Sequence, residues 1–129
     1  MGFMWLCFPS LRLQVKARAF KLKTLDVMAY DGASVTVTED VVGHVSRKHS
    51  EVLSLLGLTE EGFFDLLCRV LEKPHEAYID SFGSRYFLKK LNDLYLNVVV
   101  DEGIVRTAYL ISSKAHSRMR RRRWLRRLC

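Results

Sequence analysis

The chain has no cysteine pair at zinc-site spacing and no cluster of cysteine with histidine. Its three cysteines, Cys7, Cys68 and Cys129, are an odd number at long separations. Neither a disulfide framework nor a structural metal is indicated, and a reducing cytoplasm is the expected compartment. Long apolar runs are also missing. The apolar start, Met1 to Pro9, falls far short of the roughly 20 residues a spanning helix needs. It lacks the basic region and long apolar stretch of a secretory signal, so no membrane partner is expected. This leader reads as an edge strand, a poorly ordered start or a flap for a partner. No internal repeat and no linker divide the chain. Acids are absent from both ends: residues 1–25 and 114–129 contain none.

Against those absences stand 129 residues, enough for one compact domain, of which 49% are apolar. The formal charge of +7 is unevenly spread. Residues 1–25 carry five bases (Arg12, Lys16, Arg18, Lys21, Lys23). Residues 114–129 carry eight, among them the run Arg120, Arg121, Arg122, Arg123. The middle, 26–113, holds eight bases and all 14 acids, a net −6. Attraction to polyanions therefore belongs to the ends, around an acidic body.

The pattern along the chain predicts an α+β fold. Val27–Tyr30 and Ala33–Val37, separated by Asp31-Gly32, read as an N-terminal β-hairpin with a two-residue turn. Thr38 before Glu39-Asp40 reads as a helix N-cap, the helix running to about His49 or on to Leu56, with Gly57 as a stop. Thr59-Glu60-Glu61 opens a second helix that Lys73-Pro74 ends. Four period-two segments follow, at 77–82, 86–91, 94–100 and 104–112, with turn residues between them. The expected architecture is a hairpin and two helices packed on a four-stranded antiparallel meander, followed from about Lys114 by a basic C-terminal helix. Met119, Trp124, Leu125 and Leu128 are the only apolar anchors of that helix.

Turn positions give a register. A three-residue loop Asp101-Glu102-Gly103 sets Val100 opposite Ile104, and Asn92-Asp93 sets Leu91 opposite Leu94. One face then holds Leu94, Leu96, Val98, Val100, Ile104, Ala108, Leu110, Phe87 and Leu91 for the helices to cover. The other presents Tyr86, Lys90, Tyr95, Asn97, Thr107 and Tyr109 among Leu88, Val99, Val105 and Ile111. Tyrosines on a sheet stack on unpaired bases and lysine holds phosphate; an ordinary half-exposed face has the same residue types. Lys89 and Arg106 fall on the apolar face, snorkelling at its edge or betraying a register one residue off. His49 falls on the apolar stripe of the first helix, with His44 at its edge. It reads either as a packing residue or as an acid/base at the helix–sheet seam.

Several strings, in order, resemble a known group. Lys48-His49-Ser50-Glu51 is similar to the Arg-His-Pro-Glu string of the phage-associated nucleases in the barnase–EndoU–colicin–RelE-like superfamily, with Ser50 standing where proline is usual. Glu72-Lys73-Pro74-His75-Glu76 resembles that family's helix-ending proline. Tyr86-Phe87-Leu88-Lys89-Lys90, Leu94 to Val100 and Arg106-Thr107-Ala108-Tyr109 resemble its consecutive strands. The resemblance covers about residues 27–113. It divides the chain into a leader (1–25), a nuclease-like domain (26–113) and an arginine-rich tail (114–129).

The resemblance implies a metal-independent endoribonuclease, toxin-like or phage-related, that needs no cofactor and cuts RNA by attack of the 2′-OH on the adjacent phosphate. It assigns His49 as acid/base, Thr107 as phosphate donor, Lys90 (or Lys89) as the stabilising cation and Tyr109 as a stacking or donating group. Tyr86, Lys89, Asn97, Arg106 and Arg120–Arg123 would bind RNA. Two other readings stand beside it. One is nucleic-acid binding without catalysis, its affinity carried by the arginine run. The other is a protein-interaction module, such as one half of a toxin with an inhibitory partner.

Overall fold

The computed structural model describes residues 24–128 of the chain. The expected leader, its five bases, Cys7 and Cys129 lie outside the described residues or at their margin. The elements, in order, are β1 (Thr24–Met28), β2 (Ser34–Thr38), α1 (Glu39–Lys48), α2 (Ser50–Leu56), α3 (Glu60–Glu72), β3 (Glu76–Asp80), β4 (Arg85–Leu91), β5 (Leu94–Asp101), β6 (Ile104–Ser112), α4 (Ser113–Arg122) and β7 (Trp124–Arg127).

The fold is α+β, but the expected architecture is corrected. Among the described residues the strands form one seven-stranded mixed sheet in the order β1-β2-β6-β5-β4-β3-β7, with four helices, in place of a four-stranded antiparallel meander. The hairpin is part of the sheet. β2 joins β6 in parallel through a single pair, Thr36 with Ile104. The arginine-rich end is not one helix: α4 stops at Arg122, and β7 pairs antiparallel with β3 as a new edge strand. The first expected helix is broken at His49, whose φ of −135° and ψ of 54° separate α1 from α2.

Local chemistry explains the elements. The Thr38 hydroxyl accepts from Val41 N–H and the Thr59 hydroxyl from Gly62 N–H, so each satisfies one orphan donor of its helix. The first turn is wider than Asp-Gly alone. Ala29 N–H donates to Ala33 C=O, leaving Tyr30-Asp31-Gly32 as a three-residue loop with Gly32 at φ +88°. At the β5–β6 turn only Glu102 and Gly103 lie outside the strands, at φ +54° and +76°. Asp101 therefore pairs with Ile104, and the expected register moves by one at the turn. From Val99–Thr107 onward the shift is two, which keeps the rest of β6 on its expected faces.

A bulge then corrects Arg106. Val99 pairs with Thr107 but Val100 pairs with Val105, so Arg106 is the extra residue. It turns outward to Glu102, 3.5 Å away, instead of lying on the apolar face. Val105 turns inward to the core. Lys89 stays on the apolar face, opposite Leu96, with its side chain half-exposed at the sheet margin.

The main core lies between the first face and α1–α3. Phe63, Leu67, Val70 and Leu71 of α3 meet Phe87, Leu96 and Val98 of the sheet, all completely buried. Each contributes about 1.5–3 kcal/mol of apolar burial. The second face carries its own smaller core of Tyr78, Tyr86, Leu88, Tyr95, Ile111 and Trp124, against which Ala115 and Met119 of α4 pack.

Candidate nucleic-acid interface and catalytic residues

α1 leaves β2 directly and packs along β6 below the one β2–β6 pair, so a helix and not a strand meets that edge. This puts His49, at the α1–α2 junction, beside the second face. Its ring centroid is 5.5 Å from that of Tyr109, tilted by 44°, and 6.0 Å from that of His44. The backbone N–H of His49 donates to Val45 C=O and its carbonyl accepts from Val52 N–H, which fixes the junction. Tyr109 stands opposite Asn97 on β5, and Thr107 is two residues along β6 on the same face.

Asn97 is completely buried, and neither its amide oxygen nor its nitrogen has a hydrogen-bond partner among the described residues. The hydroxyl of Thr107 is buried and unpartnered in the same way. An unsatisfied buried amide costs about 1–3 kcal/mol. Asn97→Leu, similar in volume and free of polar atoms, is therefore expected to raise the urea midpoint at unchanged m-value. A lowered midpoint would mean that the amide is satisfied in solution.

Lys90 is not brought to this group. It stands opposite Tyr95, which stands opposite Ile111, and its ammonium lies over the Tyr95 ring at 5.8 Å. Two strand spacings, roughly 10 Å, separate it from β6. Tyr86 is buried, and its hydroxyl donates to Asp80 at 2.7 Å, so its ring is not offered to a base while α4 is docked.

Sequence reasoning missed the cluster that covers Tyr86. Glu76, Tyr78 and Asp80 alternate along β3 and so share one face; this period was the available signal. Glu76 Oε1 accepts from the Tyr78 hydroxyl and from His116 Nε2, both at 2.7 Å. His116 stacks on Tyr95 at 4.0 Å and 5°, and Trp124 stacks on Tyr78 at 4.4 Å and 11°. Arg120 and Arg127 both lie over the Tyr78 ring. A histidine and a tryptophan thus pin the basic segment to the sheet, although eight of the residues in 114–127 are cations.

Burial alone would raise the carboxyl pKa of Glu76. The hydrogen bonds from Tyr78 and His116, with the charges of His116 and Arg127, outweigh it and hold the group below its ordinary value. Asp80 is lowered likewise: burial opposes, but the Tyr86 hydroxyl, two backbone N–H groups and Arg123 prevail. Burial and the adjacent carboxylates push Tyr78 and Tyr86 from 10.0 to about 12. The two carboxylates contribute stability above the ordinary carboxylate pKa, lost as pH falls through their lowered values. The tyrosines contribute stability that is intact below pH 10 and lost as pH rises to about 12. Tyr78→Phe/Tyr86→Phe is expected to flatten the alkaline loss between those limits, read as unfolding midpoint against pH. An unchanged alkaline slope would refute the assignment.

The cations themselves face water. Lys114, Arg118, Arg120–Arg123, Arg126 and Arg127 are all exposed. Arg120 lies on the α4 flank toward β3, over Tyr78. At 100° per residue Arg118 and Arg122 fall on the flank of α4 opposite Arg120. Among the described residues no group of three or more His, Cys, Asp or Glu could hold a metal ion, and no helix is long and apolar enough to cross a membrane. Compared with protein-family models, curated proteins and solved structures, the chain matches none of them.

Proposed function

We propose that this protein binds RNA on its α4–β7 surface and cleaves it, without a metal, by attack of the 2′-OH on the neighbouring phosphate. The observation that carries the reading is the His49–Tyr109 pair, ring centroids 5.5 Å apart, on the second face of the sheet. The imidazole takes the 2′-OH proton or returns one to the leaving oxygen. Tyr109 donates to the phosphate or stacks on a base. The arginines of the α4–β7 surface, planar and permanently charged, hold the flanking phosphates of the RNA strand. The family resemblance of Lys48-His49-Ser50-Glu51 and of Arg106-Thr107-Ala108-Tyr109 supports the same residues.

A specific observation favours RNA binding without cleavage as the second reading. The polar atoms of Asn97 and Thr107 are buried, so they hold no phosphate unless the face opens. The test is incubation of the full chain with total RNA in EDTA, wild type beside His49→Ala. Cleavage that requires a divalent metal, or that survives the substitution, would remove the catalytic reading. Binding in the absence of any cleavage would favour the second.

A further inference from the structure

The β3–β4 turn presents Phe82 to water with 90% of its surface exposed, the most exposed large apolar side chain of the described residues. The turn beneath it is rigid. Asp80 Oδ1 accepts from Phe82 N–H at 2.9 Å and from Ser84 N–H at 3.0 Å. Asp80 N–H donates to Ser84 C=O, Gly83 N–H donates to Asp80 C=O, and Gly83 takes φ +89°. A lone exposed phenylalanine is unremarkable by itself. What singles this one out is its neighbour. Asp80 pairs with Trp124 of β7, and Arg123 reaches both Asp80 and the Tyr86 hydroxyl. The chain therefore sets an exposed aromatic ring, on a turn whose backbone is fixed, close to the end of the run Arg120–Arg123, in a segment (114–127) whose eight exposed cations include no acid among them.

We propose that Phe82 is a stacking platform for an unpaired base of single-stranded RNA whose phosphates run along Arg121–Arg123. The inference rests on the RNA-binding part of the reading above and not on cleavage. Stacking is indifferent to base identity because every base has a π face, and it is closed to a duplex, whose bases already stack on each other. An anionic membrane would also meet cations and an apolar residue. The seven arginines against one lysine in 114–127 favour bidentate phosphate contacts along a strand over diffuse surface attraction.

The experiment compares fluorescence anisotropy of a labelled 2′-O-methyl oligouridylate, which attack by a 2′-OH cannot cut, with that of an RNA duplex of equal length. Phe82→Ala is expected to weaken single-strand binding about 10-fold and leave duplex binding and the salt slope unchanged. Phe82→Trp restores single-strand binding. Arg121→Glu/Arg122→Glu weakens both probes and lowers the salt slope. Unaltered single-strand affinity in Phe82→Ala overturns the platform while the basic surface stands. Equal loss on both probes overturns it as well. Failure of the wild type to bind either probe removes the surface and the platform together. Binding confined to phosphatidylserine vesicles, weakened by Phe82→Ala, replaces the strand with a membrane. The side chain is exposed, so an unchanged unfolding midpoint is expected for both Phe82 variants.

Discussion

Replacing His49 with alanine is expected to abolish RNA cleavage in EDTA while leaving the fold in place. Loss of a positioned acid/base lowers a rate by about 10²–10⁴, which takes a small ribonuclease activity below detection. Structural cost should be slight. His49 caps α2 without a side-chain hydrogen bond, and the junction is held by its backbone N–H and carbonyl, which alanine keeps. Tyr109→Phe is the companion. It preserves the ring that meets His49 and removes only the hydroxyl, so it separates donation to phosphate from stacking. A rate lost in His49→Ala with intact near-ultraviolet dichroism supports the proposed centre. Equal rates in the two proteins would leave α1 packing as the role of His49. Lost rate together with lost dichroism calls for His49→Gln, which keeps a polar side chain of similar reach.

The second large effect is on stability. Trp124→Ala is expected to cost about 3–5 kcal/mol, the range for emptying a buried aromatic site. Trp124 is 5% exposed and lies against Tyr78, Tyr86 and His116. Its indole N–H has no partner among the described residues, so part of the packing gain is already offset by an unsatisfied donor. Trp124→Phe removes that donor, keeps a ring on Tyr78 and should cost far less. Because the main core lies on the other face, the loss should be local. Amide exchange in α4, β7 and β3 should quicken while α3 and the first-face strands keep their protection. Uniform loss of protection would show instead that the second core is part of one cooperative unit. Release of α4 would also uncover Tyr86 and Tyr95, the rings from which base stacking was expected.

Much of the local order can be read along the chain. Thr38 and Thr59 announce two helices because a hydroxyl before a pair of acids satisfies an N–H and meets the helix dipole. Period two over 76–112 separates two faces, and the turn's displacement by one left them intact beyond Thr107 because the bulge at Val99/Val100 made it even. The Asn92-Asp93 turn set Leu91 opposite Leu94 as expected. Asp101 joined its strand because two residues with positive φ suffice to close that hairpin.

The charge pattern by itself determined that the basic residues concentrate at the two ends, most densely in the arginine-rich one, around an acidic body. Only the tertiary structure decided where that end goes. Trp124-Leu125-Arg126-Arg127 has no apolar alternation, and its strand exists because β3 offers it unpaired backbone groups. His116 is an inward residue only because Glu76, 40 positions earlier, stands beneath it. The same holds for His49, brought to Tyr109 because β2 and β6 share one pair and then part around a helix. Periodicity reports which side of an element is apolar. It carries no record of which distant strand, ring or carboxylate will come to cover that side, since such pairings are made only when the whole chain closes its core.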